Sequence, residues 1–113
     1  MLKKSDFEQE SDFRKEAELV LDQLLYQVDE LDFGEFEPRR TPGSLSIAFE
    51  DASVFMLSMQ TPTHELWLSA NYTAWHFLRC EGVWIERDTS VAMISVLSQL
   101  LSEKLEGEVR LEL

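Results

Sequence analysis

Carboxylates are the side chains of this 113-residue chain whose type and number could do chemistry. Residues 1–37 carry 12 of the 22 acidic side chains and only 4 basic ones, so they account for −8 of the net charge of −12. Carboxylate oxygens that no cage holds in place are hard ligands, suited to weak binding of Fe²⁺, Fe³⁺, Mn²⁺ or Ca²⁺. The candidate ligands, which we call the acidic ridge, are Glu18, Asp22, Asp29, Glu30, Asp32, Glu35 and Glu37.

The acidic ridge could also be an ordinary solvated helix face, and taken alone it favours the two interpretations about equally. On a helix, Glu18, Asp22, Asp29 and Asp32 would fall within about 80° of one another, on one flank. A tight, selective metal site would need histidine or cysteine as well. The two histidines have neither a zinc spacing nor the pattern of two histidines and one carboxylate, so we expect weak binding only.

The excess of negative charge argues against nucleic acids and anionic membranes as partners, and it favours cations and basic protein surfaces. Cys80 is the only cysteine, which excludes an intrachain disulfide and fits a reducing compartment. The first residues turn acidic before any apolar stretch, and no apolar run approaches the roughly 20 residues of a bilayer span. The sequence therefore predicts a cytoplasmic protein.

The first structural element predicted is an amphipathic helix over residues 12 to 31. Its apolar residues, spaced by four, three, four and three, are Ala17, Leu21, Leu24, Val28 and Leu31. Ser11 or Asp12 is the expected N-cap. Residues 1–11 lack a sustained period and are expected to form a flexible acidic lead, which leaves residues 12–113 as a single domain.

A series of short strands is predicted to follow. Residues 35 to 37 alternate like a strand before Pro38 and the turn at residues 41 to 43 interrupt them. Further strands are predicted at residues 44–49, 54–59, 65–70, 75–79 and 83–86. Asp88 or Ser90 could then cap a closing helix that ends near Gly107. Its buried stripe would be Ile94, Leu97, Leu101 and Leu105.

This order of elements predicts an α+β fold, a two-layer sandwich in which the N- and C-terminal helices pack on one face of an antiparallel sheet. The alternation in residues 65–70 places Trp67 beside Glu65 and Ser69 on the polar face, away from the helices. A tryptophan there is typical of an interface anchor, although a loop could cover it. Trp75 and Trp84 are assigned to the core.

The segment Gln60-Thr61-Pro62-Thr63-His64-Glu65-Leu66-Trp67-Leu68-Ser69 resembles the central signature of the frataxin family, above all its bacterial, CyaY-like branch. The pair His76-Phe77, Trp84 after a glycine turn and the two helices extend the resemblance over residues 11 to 111. The chain departs from the family pattern at four places. These are Ser58 for asparagine, Met59 for a basic residue, Glu65 for glutamine, and Thr73-Ala74 for a glycine-rich turn.

The resemblance implies an iron-binding accessory protein of iron–sulfur cluster assembly that docks on a cysteine desulfurase and a scaffold protein. Iron would bind weakly on the acidic ridge, with no organic cofactor. The implied partner surface comprises Ser58, Gln60, His64 and Trp67. A monomer is expected, with iron-dependent oligomers left open.

Two other functions remain open from the sequence. A ferroxidase that oxidises Fe²⁺ at carboxylates has the same ligands, although no other catalytic motif is present. A pure interaction module without an iron role would fit the changes at Ser58, Met59 and Glu65.

Overall fold

Residues 3–113, which the computed structural model describes, form two α-helices and six β-strands. In chain order these are α1 (Glu10–Asp29), β1 (Phe36–Thr41), β2 (Ser44–Phe49), β3 (Val54–Gln60), β4 (Glu65–Ala70), β5 (Thr73–Cys80), β6 (Val83–Glu86) and α2 (Met93–Leu105). A short 3₁₀ turn, Thr61–Thr63, joins β3 to β4. Within this part of the chain, none of the helices has the length and apolarity to cross a membrane.

The strands lie in the sheet in chain order, and every neighbouring pair is antiparallel. Both helices cover the same face, which we call the inner face; the opposite one is the outer face. The predicted α+β sandwich is confirmed. Alternate strand residues bury their side chains against the helices, among them Leu45, Ile47, Phe55, Leu57, Leu66, Leu68, Phe77 and Trp84. Trp75 lies on the same face, only partly buried against this core.

Helix α1 buries four residues of the predicted apolar stripe, Ala17, Leu21, Leu24 and Val28, whereas Leu31 lies beyond the helix and is only partly buried. Its ends differ from those predicted. Gln9 precedes the helix in an extended conformation and no side chain caps it, so Ser11 and Asp12 lie inside the helix and the predicted N-caps are wrong. Because the helix ends at Asp29 rather than residue 31, Asp32 lies beyond it and the predicted alignment of Asp32 on the helix flank is also wrong.

Strand β1 runs through Pro38, which the sequence suggested would end it. The strand is at the edge of the sheet and has a neighbour, β2, on one side only. Proline, which has no N–H to donate, is tolerated in such a strand. Pro42 and Gly43 then make a two-residue turn to β2. Gly43 has a φ of +80°, and its N–H donates a hydrogen bond of 2.7 Å to Oε1 of Glu18, which ties the turn to α1.

The segment before α1 has fixed contacts, in contrast to the flexible lead expected for residues 1–11. The backbone N–H groups of Glu81 and Gly82 each donate a 2.8 Å hydrogen bond to the carboxylate of Asp6. The ring of Phe7 packs against Phe13 and Trp84, with centroids 5.8 and 6.1 Å away. The segment therefore closes one end of the core; Met1 and Leu2 lie outside the described residues.

The segment between β6 and α2 turns around the carboxylate of Glu86. Helix α2 begins after Ala92 without a side-chain cap, so neither Asp88 nor Ser90 has the predicted capping role. Instead Glu86, only 6% exposed, accepts hydrogen bonds from the backbone N–H groups of Asp88 and Thr89 at 2.7 and 3.0 Å. The carboxylate that orders this connection therefore belongs to β6, and the N-terminus of α2 has no side-chain cap.

Residues 108–113 pack back onto the helices after α2. Val109 and Leu111 are buried in the core. The N–H of Leu111 donates to Oγ of Ser98 on α2 at 3.0 Å, and Gln27 on α1 exchanges two hydrogen bonds with the backbone of Glu112. The tail thereby joins the two helices.

Candidate functional site

Trp67 lies near the middle of the outer face, opposite Ser58 on β3 and His76 on β5. Its ring is half-buried and meets the ring of His76 edge to face, with centroids 4.6 Å apart. The indole Nε1–H donates a 2.8 Å hydrogen bond to Oε1 of Glu65. The predicted side of the sheet is therefore confirmed, but the ring rests on its neighbours instead of standing free in solvent.

Glu65 is buried, which the sequence did not predict. It is only 5% exposed, although it lies on the outer face with Trp67 and Ser69. Nη1 of Arg87 lies 3.2 and 3.5 Å from its two carboxylate oxygens. A buried carboxylate needs a counter-charge and hydrogen-bond donors, and Arg87 and the indole of Trp67 supply both.

The outer face carries almost no net charge. At its β1 edge, Glu37 and Arg39 are neighbours whose opposite charges offset each other. At the other side, the charges of Glu65 and Arg87 form an ion pair. Most of the remaining outer positions are small or weakly polar; they include Ser44, Ser46, Ala48, Ser58, Ser69 and Ala74. Val54 and Met56 are exposed by 47% and 44%. In a chain with a net charge of −12, this is a flat, neutral and partly apolar surface.

Three of the four predicted partner residues share this face. Ser58 and Gln60 stand beside Trp67, and Nε2 of Gln60 donates to Oγ of Ser58 at 3.4 Å. His64 is placed elsewhere. It ends the 3₁₀ turn with a φ of +54°, stacks on Phe13 at 5.1 Å, and has Nδ1 3.2 Å from the carbonyl oxygen of Phe7. Its contacts hold the N-terminal segment, and its docking role stays a prediction.

Sequence reasoning missed His76 and Arg87 as members of this site. The signal for His76 was available, because the two-residue turn between β4 and β5 determines which residue faces Trp67. Arg87 follows β6 and continues its pairing with β5: its N–H donates to the carbonyl oxygen of His76 at 2.9 Å. Nothing in the local sequence indicates that the side chain of Arg87 reaches back to β4.

The acidic ridge is divided into two parts by Arg40 on β1. Its guanidinium lies 3.4 Å from Oε2 of Glu18 and 3.0 Å from Oδ1 of Asp22, so these two carboxylates already have a counter-charge. The other five are exposed and form no ion pair within residues 3–113; they are Asp29, Glu30, Asp32, Glu35 and Glu37.

No preorganised metal cage accompanies these carboxylates in the part of the chain that the structure describes. Within it, no three His, Cys, Asp or Glu side chains stand close enough together to hold an ion. The five free carboxylates follow one another at the end of α1, in the loop and at the start of β1. These carboxylates are flexible, hard oxygen donors. They can hold a cation only if the side chains rearrange around it or bind it through its water ligands.

Comparison with known proteins assigns the chain to a family. The model of the frataxin-like domain matches residues 6–107. The chain belongs to the frataxin family. Two relatives are each named iron–sulfur cluster assembly protein CyaY. The one from Ralstonia nicotianae is 32% identical over 83 residues, which cover 74% of this chain and 73% of the relative. The one from Ralstonia pickettii is 31% identical over 99 residues, covering 85% and 86%.

The frataxin fold is also found by structural comparison. The solved structure of frataxin from Psychromonas ingrahamii superposes with a TM-score of 0.83 at 19% identity, covering 90% of this chain and 96% of that one. The resemblance to frataxins that the sequence indicated is thus confirmed. Two of the departures from the frataxin pattern, Ser58 and Glu65, lie on the outer face, whereas Met59 packs against the core.

Proposed function

We propose that this frataxin-family chain is a cytoplasmic accessory protein of iron–sulfur cluster assembly that docks through its outer face and binds iron loosely on the acidic ridge. The observation that carries the proposal is the neutral outer face around Trp67 on an otherwise strongly acidic chain. The names of the relatives support the pathway. The partners proposed are a cysteine desulfurase and a scaffold protein.

The charge distribution supports a division of roles between two surfaces. The acidic ridge is suited to a basic surface, because its negative field attracts positive charge. Added salt screens this attraction. The outer face is suited to an uncharged surface, because its few charges offset one another and most of its exposed side chains are small or apolar. The two surfaces meet at Glu37 on the edge strand β1 and otherwise use different residues.

Replacing Trp67 by alanine should weaken docking about tenfold or more while leaving the fold largely intact. A half-exposed aromatic ring at the centre of a flat face is the kind of residue that dominates binding energy, whereas its contribution to the core is limited. Binding to the purified scaffold protein and to the purified desulfurase is measured by biolayer interferometry. Circular dichroism of the same samples reports the thermal midpoint.

Tyr26→Ala is the matched control for Trp67→Ala, since Tyr26 is an aromatic residue on α1 that is 68% exposed. It should bind as the wild type does. Equal affinities for Trp67→Ala and the wild type toward both partners would remove the outer face from the proposal.

Iron binding should be weak and should depend on the unpaired part of the acidic ridge. We expect a dissociation constant for Fe²⁺ on the order of micromolar or above, because exposed carboxylates lack a preorganised cage. Anaerobic calorimetric titration of the wild type is compared with a variant in which four of the five free carboxylates are changed to amides. That variant is Asp29→Asn, Glu30→Gln, Asp32→Asn and Glu35→Gln, and it should show no measurable binding.

A control variant removes the same number of charges elsewhere, through Glu81→Gln, Glu103→Gln, Glu106→Gln and Glu108→Gln. It should retain binding if the ridge is the site. Equal losses in both variants would indicate general electrostatic attraction, and no binding by the wild type would favour a pure interaction module. Oxidation of Fe²⁺ by O₂ well above the buffer rate would instead favour the ferroxidase alternative.

A further inference from the structure

The geometry around Trp67 points to a positioning role for the ion pair between the buried Glu65 and the exposed Arg87: we infer that it holds the indole in the orientation used for docking. The inference rests on the proposed function and names residues that act through Trp67, not residues that touch the partner. It also explains how a chain with glutamate at position 65 can keep a docking face.

The orientation of Trp67 depends on one carboxylate oxygen. Oε1 of Glu65 accepts both the indole N–H of Trp67, at 2.8 Å, and Nη1 of Arg87, at 3.2 Å. Hydrogen bonds to an ionised acceptor are stronger than those between neutral groups, and burial of Glu65 to 5% exposure keeps water from competing. The indole of Trp67 is therefore held from one side by a fixed acceptor.

Arg87 is itself held in place through its backbone. Its N–H donates to the carbonyl oxygen of His76 at 2.9 Å, and its carbonyl oxygen accepts a 2.7 Å hydrogen bond from Nζ of Lys3. The ring of His76 then meets Trp67 edge to face at 4.6 Å. The indole thus contacts Glu65 on its own strand and His76 on β5, and Arg87, after β6, holds the carboxylate of Glu65.

This arrangement has a consequence for how a partner is recognised. Since the indole N–H already has an acceptor inside the protein, docking uses the exposed surface of the ring and not its hydrogen-bond donor. An anchor fixed before binding loses less side-chain freedom when the complex forms. Arg87 is 41% exposed, and an ion pair with one partner in solvent contributes little net stability, so loss of the pair should affect docking more than unfolding.

The test compares two variants. Glu65→Met combined with Arg87→Met removes both charges without leaving either one buried and alone. We expect the Trp67 indole N–H resonance in ¹⁵N–¹H spectra to shift and to exchange faster with water, and affinity for the purified scaffold protein to fall about fivefold. Glu65→Gln retains an acceptor for the indole N–H, so its resonance should stay protected and its affinity should stay within about twofold of the wild type.

The outcomes separate this inference from the proposed function. If the double variant releases the indole N–H but binds as the wild type does, while Trp67→Ala still weakens binding, the positioning role is refuted and the docking face stands. If Trp67→Ala binds normally, the docking face itself fails.

A measurement on the wild type decides the matter even if the double variant does not fold. In the complex with the scaffold protein, the Trp67 indole N–H should remain protected from exchange, as in the free protein. The inference would be overturned if, on binding, the indole N–H of Trp67 exchanged with water or donated its hydrogen bond to an acceptor on the partner instead of to Glu65.

Discussion

Replacing Trp84 by alanine should lower the free energy of unfolding by about 3–5 kcal/mol, the range for removing a large aromatic side chain from a core. Trp84 is 5% exposed, and its ring lies 6.1 Å from that of Phe7 and 6.5 Å from that of Phe13. Removing it leaves a void under both the N-terminal segment and α1. Domains of this size are stable by only about 5–15 kcal/mol, so the variant should be partly unfolded or should melt far below the wild type.

Urea unfolding followed by circular dichroism measures the effect, with Trp84→Phe as the matched control. Phenylalanine retains most of the apolar surface and should recover much of the loss. Trp67→Ala, on the other face of the sheet, should be clearly less destabilising. If Trp67→Ala proved the more destabilising of the two, the assignment of inner and outer faces would be wrong by one residue along β4.

Replacing Glu86 by alanine should lower the free energy of unfolding by about 3 kcal/mol, since hydrogen bonds to a charged acceptor contribute about 1.5–3 kcal/mol each and their donors would be left without a partner. Its carboxylate accepts from the N–H groups of Asp88 and Thr89 and, at 3.4 Å, from the N–H of His76. These bonds shape the connection from β6 to α2. Chemical denaturation at neutral pH measures the loss.

The same carboxylate should make stability depend on pH. Burial by itself would raise the pKa of Glu86, but the hydrogen bonds from the N–H groups of Asp88, Thr89 and His76 outweigh it and lower the pKa below its ordinary value of 4.5. A group whose pKa is lower in the folded state stabilises the fold above its unfolded pKa, about 4.3. That stabilisation is lost as pH falls through the folded pKa.

Glu86→Gln tests the pH dependence directly. The difference in unfolding free energy between the wild type and this variant should be largest near neutral pH and should shrink between about pH 4 and the acid limit. Glu8→Gln, at an exposed position before α1, should leave the pH profile unchanged. A difference for Glu86→Gln that stays constant down to pH 3 would contradict a lowered pKa.

Strands with clean alternation were predicted best from the sequence. The predicted bounds of β2, β4 and β6 agree with the structure. In each of these strands apolar and polar residues alternate strictly, or a clear β-turn signal lies next to the strand. The buried stripe of α1 was also predicted, since its period is independent of where the helix ends. Pro38 misled the prediction because its effect depends on whether a strand is at an edge, which only the completed sheet decides.

The errors at the candidate site have a common physical origin. Arg40 pairs with both Glu18 and Asp22, and Arg87 pairs with the buried Glu65. The paired residues are 18 to 22 positions apart in the sequence. Such contacts depend on strand register and on helix placement, which local periodicity does not contain. The same holds for His64, whose neighbours Phe7 and Phe13 come from the other end of the chain.

The sheet order has a consequence for how the chain folds. Because the six strands lie side by side in chain order and are joined by connections of two or four residues, each pairing closes a short loop and loses little chain entropy. Contacts of large sequence separation are concentrated at the ends, as where Asp6 meets Glu81 across 75 residues. Because neighbouring strands pair locally, we expect the hairpins of the sheet to form early, and the contacts of the segment before α1 with the turn between β5 and β6 to form late.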